Sequence, residues 1–120
     1  MSDTGYRKLQ IWQKAMDLVE EVYTLSMNLP KHELYGLVSQ LRRAVVSIPS
    51  NIAEGNARKS RKEYIHFLSI ARGSKAELET QLEICVRLKY LDTVQVKLAF
   101  ELCDEIGKML YVFMMKLVSP

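Results

Sequence analysis

Apolar side chains return every three or four positions through four successive blocks of this chain, and no stretch sustains the alternation of a half-buried strand. In the first block Leu9, Trp12, Ala15, Val19 and Val22 share a face, which predicts a helix over about residues 9–27. Asn28-Leu29-Pro30 ends it, because a residue before proline is pushed out of the helical region. The second stripe, Leu34, Leu37, Leu41, Ala44, Val45, Ile48 and Ile52, predicts a helix over about residues 31–57. Pro49 falls inside it. The missing N–H and the crowded carbonyl of Val45 cost about 3 kcal/mol in an ideal helix. The stripe nevertheless stays in phase to Ile52, so the expectation is a kink near Pro49 rather than a break, with Ser47 and Ser50 placed to satisfy the disturbed backbone.

Ser60-Arg61-Lys62-Glu63 opens the third helix as a capping box, in which the serine side chain and the glutamate carboxylate each take an orphan backbone N–H. Its stripe, Tyr64, Phe67, Ala71, Ser74, Leu78, Leu82, Cys85 and Leu88, predicts a helix over about residues 60–90. Asp92-Thr93 makes a short turn and caps a fourth helix, about residues 93–118, on Leu98, Leu102, Ile106, Met109, Phe113 and Leu117. Connections this short run neighbouring helices antiparallel. The predicted fold is all-α, an antiparallel up-down-up-down four-helix bundle forming a single domain over residues 1–120.

One block departs from amphipathicity. From Met109 to Val118 the sequence MLYVFMMKLV is apolar almost all round, with Lys116 its only charge. A helix without a wet side must be covered on more than one face, which a single layer of four helices does not do. Met109, Leu110, Tyr111, Phe113, Met114 and Met115 are therefore expected to line an oligomer interface.

Composition narrows the class further. Apolar residues make up 48% of the 120 and charged residues 26%, which is globular, and five glycines with three prolines favour long regular elements over a turn-rich fold. The longest apolar run, Met109 to Met115, is far short of the roughly 20 residues that cross a bilayer. Met1-Ser2-Asp3-Thr4-Gly5 is not followed by a signal-peptide core, so a cytoplasmic location with no membrane partner is expected. Cys85 and Cys103 lie far apart on apolar stripes and read as buried, reduced thiols.

The net charge of +3 is small, but it is unevenly spread. Residues 1–56 carry six cations and six anions, residues 76–120 carry five and seven, and residues 57–75 carry six cations against one anion. Cations at the end of the second helix suit its dipole, whereas Arg61 and Lys62 in the first turn of the third oppose it by a few tenths of a kcal/mol each. Four cations beside free helix-start N–H groups form a phosphate site. Arg58, Lys59, Arg61 and Lys62, extended along the third helix by Arg72 and Lys75, are thus candidate nucleic-acid contacts. No aromatic platform accompanies them, so stacking on single strands is not supported. A second polar feature flanks the apolar stripe of the second helix: Gln40, Arg43, Ser47, Asn51 and Glu54 recur at helical spacing. They form either a solvated face or a hydrogen-bonded polar seam, between helices or lining an oligomer's interior, with Ala53 and Gly55 permitting close approach.

Catalytic constellations are missing. Glu63-x-x-His66 has the spacing of a di-iron bundle ligand pair, but the second copy such a site requires is lacking. His32-Glu33 begins like a zinc-protease helix without the second histidine, and Gly73-Ser74-Lys75 resembles a phosphate loop only at its end. No Gly-x-Ser-x-Gly elbow occurs. The expectation is a non-enzyme with no metal, no cofactor and no small-molecule substrate.

Ile11-Trp12-Gln13-Lys14-Ala15-Met16-Asp17-Leu18, Leu29-Pro30, Tyr35-Gly36-Leu37, Ser39-Gln40-Leu41-Arg42-Arg43-Ala44 and above all Ser47-Ile48-Pro49-Ser50-Asn51-Ile52-Ala53-Glu54-Gly55 resemble the four-helix proteins encoded within intervening sequences of bacterial 23S ribosomal RNA genes. Ile70-Ala71-Arg72-Gly73-Ser74 and Glu77-Leu78-Glu79 extend the likeness into the third helix. The resemblance implies a four-helix bundle that assembles into a ring-like homopentamer. A related branch, the accessory variability determinant of diversity-generating retroelements, forms a basic pentameric barrel that binds nucleic acid and a reverse transcriptase. By that likeness the expected partners are further copies of this chain and RNA or an RNA-handling protein of reverse-transcriptase kind, with a protein-interaction scaffold lacking any nucleic-acid role as the alternative. Lys75 stands where the family usually has an apolar residue after Gly-Ser.

Overall fold

The four periodic blocks become four α-helices in a computed structural model that describes residues 5–119. Helix α1 spans Gln10–Ser26, α2 Ser39–Ala57, α3 Arg61–Arg87 and α4 Lys97–Val118. The expectation drawn from Met1–Thr4, and the outermost positions of the single domain, lie outside the described residues. Each helix packs against its neighbours in the chain, and α1 closes the circle on α4, giving a bundle of 47 × 26 × 19 Å. The order is compatible with the up-down arrangement. No helix among the described residues is long and apolar enough to cross a membrane.

Leu18, Leu41, Ile48, Ile52, Leu68, Leu78, Leu82, Ile106 and Leu110 are completely buried along the central axis. Each contributes roughly 1.5–3 kcal/mol by leaving water. The core is rotated slightly from the stripes in two helices. In α1, Ile11 and Leu18 occupy it while Trp12 and Val19 are half-buried. In α4, Ala99 and Cys103 are inside and Leu98 faces out. Leu88 is likewise exposed, because α3 has already ended at Arg87.

The second helical block begins later than its stripe suggests. Lys31–Glu33 is a single 3-10 turn, Leu34–Val38 is a wide π turn, and regular helix starts only at Ser39. The break lies at Gly36, whose backbone (φ −109°, ψ −111°) is not helical. Glu33 Oε1 accepts a hydrogen bond from the Leu37 N–H at 3.1 Å, and a Cβ on Gly36 would lie only 2.6 Å from that oxygen. The carboxylate therefore occupies space that only glycine leaves open. Pro49 sits buried inside α2, and helical backbone runs past it to Ala57. The Ser47 hydroxyl pairs with Ser74 of α3 at 2.8 Å instead of bonding the backbone of its own helix.

The predicted cap on α3 forms at Ser60, whereas α4 starts at Lys97 with no side-chain cap, and Asp92 closes the turn before it instead. Ser60 Oγ accepts from the Glu63 N–H at 3.1 Å, but the Glu63 carboxylate meets the Ser60 hydroxyl at 3.3 Å instead of a backbone N–H. The reciprocal box occurs before α4, where Asp92 Oδ1 accepts from the Gln95 N–H and Gln95 Oε1 accepts from the Asp92 N–H. Helix α4 itself starts at Lys97, after the turn these bonds close. At the end of α3, the Tyr90 N–H reaches back to the Cys85 carbonyl at 2.9 Å, a Schellman closure that puts Lys89 at φ +64°.

Candidate functional site

Only three residues separate α2 from α3, so the basic segment lies at one end of the bundle. The side chains there are not equivalent. Arg58 is engaged within the fold: it donates to Glu54 Oε2 at 2.6 Å, lies 3.8 Å from Glu63, and stacks over the Phe67 ring at 4.9 Å. Arg61 donates to the Ser119 carbonyl at 3.0 Å, tying the start of α3 to the end of α4. Lys59, Lys62 and Arg72 are exposed and form no ion pair among the described residues.

Lys75 differs from the rest. Its side chain is largely covered, its ammonium pairs with Glu79 at 3.1 Å, and its stem lies against Gly107 of α4, where a Cβ would approach Lys75 Cε to 3.1 Å. The lysine is accommodated by a glycine opposite and a carboxylate one turn on. This arrangement turns Lys75 toward helix packing and separates it from the exposed cations.

The same end of the bundle gathers charges that linear reading did not connect with the junction. The turn Tyr6–Lys8 packs against α2, and Lys8 lines a groove with Lys108 and Lys116 of α4. Tyr64 of α3 stacks edge-on against Phe113 of α4 with ring centroids 5.1 Å apart, and its hydroxyl accepts a hydrogen bond from Asn56 Nδ2. Burial raises the Tyr64 phenol above its ordinary range, so it stays neutral. The start of α1, the α2–α3 junction and the end of α4 thus form one basic pole. Sequence carried no signal for this beyond the helix count, because Lys8 and Lys116 are more than a hundred positions apart.

The predicted polar seam divides. Ser47 and Asn51 are half-buried between α2 and α3: Asn51 Nδ2 donates to the Ser47 carbonyl at 2.8 Å and to Ser47 Oγ at 2.9 Å, and Ser47 pairs with Ser74. Gln40, Arg43 and Glu54 are exposed. The inward arginine is Arg42, whose Nε donates to Ser26 Oγ at 3.0 Å while its guanidinium lies over the Tyr23 ring. Gly55 makes the helix approach close, with Tyr64 and Phe67 directly against it.

Of the apolar C-terminal stretch, Leu110 is in the core, and Met109, Phe113 and Met114 are half-buried against it. Tyr111, Met115 and Val118 remain exposed on one azimuth, at 65%, 50% and 64%. Val112 is also half-exposed, facing the groove.

His66 is exposed against Phe67, and His32 stands 3.4 Å from the Tyr90 hydroxyl, which donates to Glu33 Oε2 at 3.0 Å. Among the described residues no three His, Cys, Asp or Glu side chains converge as metal ligands would. Both cysteines are free and buried, and burial pushes the Cys85 thiol up to about 11 and the Cys103 thiol up to about 12, which suppresses the nucleophilic thiolate.

A sequence model of the 23S rRNA-intervening sequence protein family matches residues 7–112. Among solved structures, the chain is similar to a protein of unknown function from the S23 ribosomal protein family of Bacteroides thetaiotaomicron. That similarity has 26% identity and a TM-score of 0.80, covering 87% of this chain and 97% of the other. No curated protein matches.

Proposed function

We propose, starting from the premise that this chain belongs to the 23S rRNA-intervening sequence protein family, that it is a non-catalytic, cytoplasmic, oligomeric module whose basic pole grips RNA phosphates. The observation that carries the reading is the pair Lys59 and Lys62. Both are exposed and free of ion pairs among the described residues, and they flank the Ser60-capped start of a 27-residue helix. Arg61 and Arg72 extend the surface along α3. Arg58 and Lys75, already neutralised by carboxylates, support this surface rather than contact the ligand.

Assembly strengthens the binding. One pole carries few free cations, but copies arranged around an axis, five in the ring that resemblance implies, present them together and raise avidity without new contacts. Tyr111, Met115 and Val118 are the strip on α4 best suited to such self-contact, since all three are exposed among the described residues.

Salt-dependent RNA retention on filters tests the reading. Each phosphate contact contributes a slope of about −0.7 in log K against log salt for single strands. Lys59→Glu with Lys62→Glu should abolish retention at about 50 mM salt, where counterion competition is weak. Arg58→Gln should leave most of it. Absence of retention by the unmodified oligomer at that salt, or equal losses in both variants, would refute the proposal.

A further inference from the structure

The groove between the start of α1 and the end of α4 has a chemistry of its own, distinct from the exposed lysines of the α2–α3 junction. It encloses about 540 Å³, with Leu9, Met109, Val112 and Phe113 among its lining residues and Lys8, Lys108 and Lys116 around it. We infer that this groove docks an amphipathic helix of a partner protein, apolar on its inner face and acidic along its edges.

Three observations select that occupant. The lining is apolar side chain, which a phosphate backbone does not use, whereas a helix lays leucine-type anchors at i, i+3 and i+7 into such a channel. The charge around it is wholly positive: Lys108 and Lys116 stand eight residues apart on α4, roughly 12 Å along the axis, with Lys8 opposite. Carboxylates seven or eight residues apart on a docked helix match that interval. Finally, the charge reverses farther along the same pair of helices, where Asp17, Glu20 and Glu21 of α1 face Leu98 and Leu102 of α4. The Lys14–Glu105 ion pair at 2.8 Å joins α1 to α4 between the two regions. An acidic helix is thereby drawn to the basic pole and repelled from the opposite end, which fixes where it sits.

The test uses the full chain and a fluorescein-labelled helical peptide with leucines at i, i+3 and i+7 and glutamates along both edges, with a twin carrying lysine for each glutamate. Fluorescence anisotropy should show saturable binding of the acidic peptide and at least about tenfold weaker binding of its twin. Lys108→Glu with Lys116→Glu should reverse that preference, and Val112→Asp, at a half-exposed position that tolerates the change, should abolish binding while circular dichroism stays helical. Lys59→Glu with Lys62→Glu should leave peptide binding intact, which separates this surface from the RNA reading. Equal affinity for both peptides would overturn the inference. So would the absence of peptide binding together with dissociation of the oligomer by Val112→Asp, since the groove would then hold a second copy of the chain. RNA retention lost specifically on Val112→Asp would also overturn it, since the groove would then serve nucleic acid.

Discussion

Alanine at Gly55 and alanine at Gly73 should move stability in opposite directions, although both glycines lie inside helices. Alanine is favoured over glycine in a helix interior by roughly 0.8–1 kcal/mol. At Gly73, exposed on α3, an added methyl meets no heavy atom within 4 Å, so Gly73→Ala should gain about 1 kcal/mol. At Gly55 the same methyl would stand 2.9 Å from Tyr64 Cδ1, 3.0 Å from Phe67 Cβ and 3.2 Å from the Tyr64 carbonyl oxygen. The last two atoms move only if the α3 backbone moves. The Tyr64 ring has little room to retreat, held by Phe113 on one side and by the Asn56 hydrogen bond at its hydroxyl. Overpacking of this kind costs about 1–3 kcal/mol. The rigid neighbours put Gly55→Ala in the upper half of that range, and the helix-propensity gain reduces the net loss to about 1–2 kcal/mol. Urea unfolding followed by far-ultraviolet circular dichroism should therefore separate the two variants by about 2–3 kcal/mol. In thermal unfolding each kcal/mol is worth roughly 4 °C for a chain of this size. A Gly55→Ala protein as stable as Gly73→Ala would refute the claim that this contact sets the spacing of α2 and α3.

Two further outcomes follow from local geometry. Lys89 holds a left-handed conformation at the end of α3, so Lys89→Gly should stabilise by about 1 kcal/mol through relief of backbone strain, read as a shifted urea midpoint at unchanged slope. The Leu37 N–H, and after it the Tyr90 hydroxyl, hold the Glu33 carboxyl below its ordinary value of 4.5, so the folded state binds its proton less readily than the unfolded chain. Its stabilising contribution is full above that ordinary value and is lost as pH falls through the lowered one; Glu33→Gln should thus be less stable at neutral pH, the gap from the unmodified protein closing in acid, and a gap independent of pH would contradict it.

Four helices were legible in the chain because a repeat of three to four residues is a local property: it sets one face of each segment without reference to any other segment. The Ser60 cap and the Asp92 turn were legible for the same reason, their donors and acceptors lying three residues apart, although the turn ends before α4 begins at Lys97. The glycine break was not, since Gly36 leaves the helical region around a carboxylate whose other oxygen is held by Tyr90, 57 residues away from Glu33. Nor was the division of the basic residues. The i,i+4 carboxylates Glu54 and Glu79 that pair with Arg58 and Lys75 are a local signal, but Phe67 and Gly107, which cover the same two side chains, are brought against them only by the fold. Lys8 and Lys116 stand at opposite ends of the chain and share a groove only because α1 and α4 close the bundle. Periodicity therefore specifies the helices and their inner faces. The shared groove and the open apolar surface emerge only from long-range packing, which covers some side chains and leaves their neighbours exposed.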